Sequence, residues 1–336
     1  MKVVRLYSPE DIRVEDAPVP RPGPGEALVR TVASGICTGD VLPWYISRKA
    51  PLVLGHEPAG RVVELGPGVE DFQVGDRVAL HHHAPCMHCP LCRRGAFVHC
   101  ATWRQSRLIP GGLAEFILVP RVNLQHDTLK LPPQVDFEDA TLVEPLGCVL
   151  KALGRAGPIR GKKVLVMGLG PMGALHVLAA RHLGASEVVG ADVVPYRLRK
   201  ALQLGAHRVL DLSAQALAEA SEPEVVVVGP GSARALGEAL QVVAPQGVVV
   251  MFTPLPPEEV FLLRHQEFYF KDLTLLSSYS AGPPETRQAL ELIQKGVVRA
   301  SMLVSHRFPL QEAPRAYRLV AQAQDCLKVI ITFENA

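Results

Sequence analysis

VLVMGLGPMG, residues 164–173, decides the fold. Four consecutive apolar residues, Val164–Met167, read as a strand buried on both faces. They run directly into Gly168, Gly170 and Gly173 at G-x-G-x-x-G spacing, with Pro171 and Met172 between, and a helical pattern follows over Met172–Leu183. Glycine-rich turns are common, so the spacing alone says little. Placed between a strand and a helix, it is a dinucleotide-binding fingerprint. Gly168 permits the tight turn, Gly170 lets a pyrophosphate approach the backbone, and Gly173 allows the helix to pack on the strand. The free N–H groups at the helix start then face the phosphates.

Working outward, the next strand is expected over Glu187–Asp192, then a helix over Tyr196–Leu204. Strands at Arg208–Leu210, Glu224–Val228, Val248–Phe252 and Leu273–Ser277 continue the alternation, which argues for an α/β unit with a doubly wound parallel sheet. Asp192 ends the second strand, where an acidic residue accepts hydrogen bonds from a ribose and repels a 2′-phosphate. It favours NAD over NADP. Arg197 pulls the other way, because its guanidinium could pair with a phosphate or lie against the adenine.

Before this unit the rhythm differs. Val3–Tyr7, Glu26–Ala33, Gly60–Leu65, Arg77–His82 and Ala114–Val119 read as short strands separated by Gly and Pro turns such as PRPGPGE, Pro20–Glu26. This suggests a mostly antiparallel, barrel-like domain. The helix expected at Glu285–Gly296 and the elements after it do not extend the parallel sheet and are assigned back to the first domain. The resulting division is 1–147 with 280–336, and 148–279.

Cys86, Cys89, Cys92 and Cys100 form C-x2-C-x2-C-x7-C, a lobe of about residues 84–102. Four thiolates suit a closed, tetrahedral, structural Zn²⁺. An iron–sulfur cluster also takes four cysteines, but the spacing departs from the common ferredoxin runs. His88 and His99 are read as bystanders. Cys37, His56-Glu57 and Glu144 lie in three separate segments, and one thiolate, one imidazole and one carboxylate would leave a coordination position open, as a catalytic zinc requires. Spacing alone does not join them: a lone Cys is more often a small core residue.

GICTGD (35–40), GHEPAGRVVELGPGV (55–69), FQVGDRV (72–78), the four-cysteine lobe, EPLG (144–147) and VLVMGLGPMG occur in this order. By them the chain resembles the medium-chain zinc alcohol dehydrogenases over essentially its whole length, and within that superfamily the sorbitol (polyol) and threonine dehydrogenase branches. The resemblance implies a GroES-like catalytic domain interrupted by a Rossmann domain, and a homotetramer or a dimer. It carries Cys37 and His56 over as zinc ligands, and Glu57 and Glu144 as carboxylates of which either binds the metal. Phe252, Thr253 and Pro254, with Ser278 and Tyr279, fall where the branch lines the nicotinamide. The implied reaction is hydride transfer between a secondary alcohol or its ketone and NAD(H), with two zinc ions per chain.

Two positions depart from the pattern. Gly39 stands where many relatives carry the hydroxyl that relays the substrate proton, which leaves Thr38 beside it. His83 stands where threonine dehydrogenases carry a histidine near the active site. The run His81-His82-His83 reads either as a solvated patch or as the source of that acid–base group. Trp44 and Tyr45, after the cysteine segment, either wall the pocket or pack in the core.

Across 336 residues the net charge is only +2, with 48% hydrophobic and 20% charged residues, which fits a soluble globular protein of two domains and gives no basic surface for nucleic acid. The most apolar stretch, Val164–Ala180, is interrupted by glycines and too short to span a membrane. With four of seven cysteines at metal-ligand spacing, the expected compartment is the cytoplasm. Two other readings stand beside the dehydrogenase: a zinc-free reductase of the quinone reductase kind, and a non-enzymic zinc-binding protein.

Overall fold

The computed structural model describes residues 1–333; the last three residues of the span expected to close the first domain, 334–336, lie outside it. The chain divides into two compact units, 1–147 with 281 onward, and 148–280.

In the second unit six strands form one parallel sheet, in the spatial order Arg208–Asp211, Glu187–Asp192, Lys163–Met167, Val225–Val228, Val248–Met251, Thr274–Ser277. The order reverses on either side of Lys163–Met167, which is the topological switch point where α/β sheets bind ligands at the carboxyl ends of their strands. Parallel strands are covered on both faces, and the residues comply: Val164, Leu165, Val166, Val188, Val189 and Val225–Val227 are all essentially inaccessible. The helices after these strands begin one or two residues earlier than periodicity suggests, at Pro171–His182, Pro195–Gln203 and, in the first unit, Pro283–Gln294. Each starts on proline, whose missing N–H is one of the unpaired donors of a first turn anyway.

The first unit holds a seven-stranded sheet in which Ala27–Gly35 pairs antiparallel with Glu57–Leu65, Phe116–Val119 and Lys328–Thr332. A three-stranded sheet, centred on Lys2–Ser8, accompanies it. One pair breaks the antiparallel pattern: Val304–Pro309 runs parallel to Lys328–Thr332, the helix Ala313–Gln322 supplying the crossover that parallel strands need. That helix buries Ala313, Ala316, Tyr317 and Val320 in a core with Leu6, Ile36, Leu54 and Ile331. The strand expected to reach His82 ends at Leu80, and His81 N–H leaves the ladder to donate to the Asp127 carbonyl.

Glycine positions separate tolerated from forbidden side chains. A Cβ at Gly173 would sit 1.9 Å from the Gly168 carbonyl oxygen, whereas one at Gly154, in the helix Val143–Arg155, would meet nothing within 4 Å. Gly173→Ala is therefore expected to destabilise the chain by about 1–3 kcal/mol, and Gly154→Ala to stabilise it by about 0.5–1 kcal/mol. Denaturant unfolding of the two variants checks both signs.

Candidate metal and cofactor sites

The four-cysteine lobe is a small cluster of its own. Cys89 and Cys92 sulfurs lie 3.5 Å apart, Cys86 and Cys100 3.6 Å, and Cys86 and Cys92 4.0 Å. Four sulfurs at Zn–S distances of about 2.3 Å in a tetrahedron stand roughly 3.8 Å from one another, so the spacing fits that ion. Trp103 and Val98 close the apolar side, and Cys86 N–H points at Cys100 Sγ. His88 turns back onto the Cys86 carbonyl, away from the sulfurs.

Pairing of Ala27–Gly35 with Glu57–Leu65 places Gly35 opposite Glu57, and so brings the segments carrying Cys37 and His56 side by side. One donor atom each from Cys37, His56 and Glu57 falls within 4.8 Å of the others. Glu57 is buried and ion-paired to Lys328, which also donates to the Ile36 carbonyl at 3.0 Å. Glu57 Oε1 is buried with no partner among the described residues, an orphan that a cation would satisfy. Asp40, also buried, stands 3.6 Å from His56 Nδ1. Burial alone would depress the His56 pKa; Asp40, Cys37 and Glu144 outweigh it and hold the imidazole well above its ordinary value. The surroundings thus favour positive charge where the three donors converge. Burial also raises the Glu57 carboxyl, against the opposing pull of Lys328.

Glu144, near the start of the helix Val143–Arg155, offers its carboxylate alongside His81 and His82, again with donor atoms within 4.8 Å. The three consecutive histidines do not share one environment. His83 donates from Nδ1 to the Ser106 carbonyl and packs its ring 4.2 Å from Trp103, while His82 lies 4.9 Å from the His56 ring. Burial lowers the His83 pKa to about 4 and pushes His82 well below the usual imidazole value. Thr38 opens the short turn Thr38–Val41 directly after Cys37, and Gly39 N–H points at Cys37 Sγ. Burial raises the Tyr45 phenol, and Trp44 packs edge-on against it.

In the second unit Gly168 adopts φ +81°, and the space a Cβ would take at Gly170 is clear up to the Arg197 guanidinium at 4.0 Å. Pro171 starts the helix and Met172 follows it, half-buried. Asp192 ties the sheet to this turn: Oδ2 accepts from Leu169 N–H at 2.6 Å, Oδ1 from Val193 and Val194 N–H. Arg197 stands 3.9 Å from Asp192, its buried Nε without a partner among the described residues. Phe252 meets His176 edge-on at 4.7 Å, and a Cβ at Gly231 would touch Thr253 and Pro254. Ser278 is buried, its hydroxyl without a partner among the described residues, while Tyr279 is exposed and accepts from Lys151 through its carbonyl.

Residues 23–132 match the alcohol dehydrogenase GroES-like domain, and 171–295 match the zinc-binding dehydrogenase domain. L-threonine 3-dehydrogenase of Pyrococcus abyssi is 33% identical over 323 residues, covering 92% of this chain and 90% of that one. Sorbitol dehydrogenase of Ovis aries is 32% identical over 336 residues, with 93% and 91% covered. The chain belongs to the medium-chain zinc alcohol dehydrogenase superfamily. A Sinorhizobium meliloti protein assigned as a zinc-binding dehydrogenase, solved with NADP, shares this dehydrogenase fold at a TM-score of 0.88, with 30% identity and 98% of each chain covered.

Asp40, Lys328, Tyr317 and Asp127 were not singled out by sequence reading, and the run His81-His82-His83 gave no sign of which histidine meets which partner. Asp40 lies inside GICTGD, a carboxylate three residues from a candidate ligand. Lys328 offered no such signal in this dehydrogenase, since nothing local marks a lysine in an apolar strand as the partner of Glu57.

Removing one member of a buried ion pair strands the other, at about 3–5 kcal/mol. Lys328→Met should lower unfolding stability by that amount, and Lys328→Met with Glu57→Gln should recover most of it. Recovery absent from the double variant in a denaturant titration would contradict the coupling. Separately, Cys89→Ser should remove one zinc per chain by elemental analysis and lower Tm.

Proposed function

We propose that this dehydrogenase oxidises a secondary alcohol of the polyol or hydroxy amino acid class, or reduces the matching ketone, with NAD as hydride acceptor and two zinc ions per chain. The observation that carries the reading is the convergence of Cys37, His56 and Glu57 around one point in a pocket that favours positive charge. A thiolate, an imidazole and a carboxylate leave a fourth position for substrate. Bound zinc supplies Lewis acidity, of the kind that takes water from a pKa of about 15.7 to about 7, and the nicotinamide supplies the hydride acceptor.

The chain's own residues do the rest. Cys37, His56 and one of Glu57 and Glu144 hold the ion. Asp40 orients His56, as a carboxylate behind a ligating histidine does. Lys328 aligns Glu57 and opposes the burial that raises its carboxyl. His83 is held by Ser106 and Trp103, so Thr38 is the side chain that passes the substrate proton outward. Gly168 and Gly170 take the pyrophosphate, and Gly173 lets the helix pack close beneath it; Asp192 and Arg197 take the adenosine ribose; Phe252–Pro254 with Ser278 and Tyr279 line the nicotinamide. Asp192 supports NAD, its carboxylate standing where a 2′-phosphate would be repelled. The NADP in the Sinorhizobium meliloti structure makes Arg197 the residue to watch.

A homotetramer, or a dimer, is supported by exposed Val260, Leu262, Tyr269 and Phe270 near the edge strand Thr274–Ser277. Among the described residues no helix is long and apolar enough to cross a membrane, and no two cysteines form a disulfide, which suits the reducing cytoplasm.

Losing the ion removes several kcal/mol of barrier lowering, so Cys37→Ala and His56→Ala should cut kcat/KM roughly a thousandfold or more. NAD affinity by fluorescence should stay nearly constant; a parallel loss of both would overturn the assignment. Asp192→Ala should reduce the preference for NAD over NADP by about tenfold, the loss of one charge-assisted contact of about 1.4 kcal/mol. The substrate follows from NAD reduction across a panel of polyols and hydroxy amino acids.

A further inference from the structure

We propose that His81, His82 and Glu144 form a second seat for a divalent cation, beside and distinct from the position framed by Cys37, His56 and Glu57. Each of the three offers a donor atom, and those atoms lie within 4.8 Å of one another. The decisive feature is how His81 is held. It is almost fully buried and donates from Nδ1 to Asp127 Oδ2 at 2.6 Å. Asp127 Oδ1 in turn accepts from Thr286 Oγ1 at 2.5 Å, and Asn123 Nδ2 donates to the His81 carbonyl at 3.1 Å. With Nδ1 committed, the nitrogen left to ligate is Nε2, and it is buried without a partner among the described residues. A carboxylate that fixes one imidazole nitrogen and frees the other is the arrangement proteins use behind metal-bound histidines. Among the described residues nothing satisfies Nε2 at this depth, where an unsatisfied polar group costs about 1–3 kcal/mol.

His82 adds a second imidazole whose Nδ1 is likewise buried and unpartnered among the described residues. Two imidazoles and a carboxylate select zinc, cobalt or nickel over calcium or magnesium, which prefer oxygen. The seat adjoins the first position, since the His82 and His56 rings are 4.9 Å apart. Two cations that close repel unless an anion stands between them, and Glu144, whose charge is felt at His56, supplies it. The second seat therefore fills after the first, with weaker affinity.

The test is a cobalt titration of the metal-stripped full-length protein, followed by absorbance and by ion count after dialysis. Wild type should take up one more ion than either His81→Ala or His82→Ala. That last ion should add d–d absorbance with no thiolate-to-cobalt charge transfer. The charge-transfer band of the cysteine sites, unchanged in both variants, shows that they remain folded. Asp127→Asn, which releases the His81 tautomer, should weaken the last ion by about 10- to 100-fold. Equal uptake by wild type and both variants overturns the seat, as does a last ion that brings new thiolate charge transfer. Cys37→Ala separates this result from the catalytic reading: it should lose a thiolate-bearing ion and keep the thiolate-free one.

Discussion

A buried ion pair between residues 271 positions apart, Glu57 and Lys328, ties distant stretches of the first unit to each other. Glu57 follows His56 at the start of one strand, and Lys328 begins another that pairs with the same Gly35 end of Ala27–Gly35 that faces Glu57. Neither charge would be tolerated alone at this depth, since desolvation of an unpaired ion exceeds anything the local packing returns. The pair also dictates glycine at position 35: a Cβ there would fall 1.9 Å from Glu57 Oε2. One electrostatic contact thus fixes the register of three strands and, through it, the approach of Cys37 to His56.

Around that contact the site is layered by charge. Asp40 stands behind His56 and Asp127 behind His81, each with a hydroxyl or phenol at its back, Tyr317 for Asp40 at 3.5 Å and Thr286 for Asp127. The repetition gives the pocket two imidazoles of fixed orientation rather than one. The three consecutive histidines, which look alike in the sequence, occupy three different surroundings because the strand ends at Leu80 and its regular alternation ends with it. His81 goes to the Asp127 carboxylate, His82 toward His56, and His83 to the wall of the cysteine lobe.

What could be read in advance was whatever is encoded locally. The glycines at 168, 170 and 173 act within six residues, and the four cysteines within fifteen, so their spacing alone carries the chemistry. The apolar run at 164–167 announces its burial directly. By contrast, Asp127 with Thr286 and Glu57 with Lys328 are decided by topology, and a lysine in KVIIT has no periodic or compositional mark of being buried. Helix starts slipped by a residue or two for a related reason: apolar spacing locates the buried face, while proline sets the first turn. The separate surroundings of His81, His82 and His83 reflect the same limit, since adjacent side chains diverge once a strand loses its ladder.

The long reach of Glu57 also sets an order on synthesis. The parallel-sheet unit, 148–280, is contiguous and can close as soon as it leaves the ribosome, while the strand carrying Lys328 is still unmade. At about 5–20 residues per second, some 15–50 s separate the appearance of Glu57 from that of its counter-charge. Through that interval the glutamate must remain hydrated or protonated, so the N-terminal unit emerges first and is finished last.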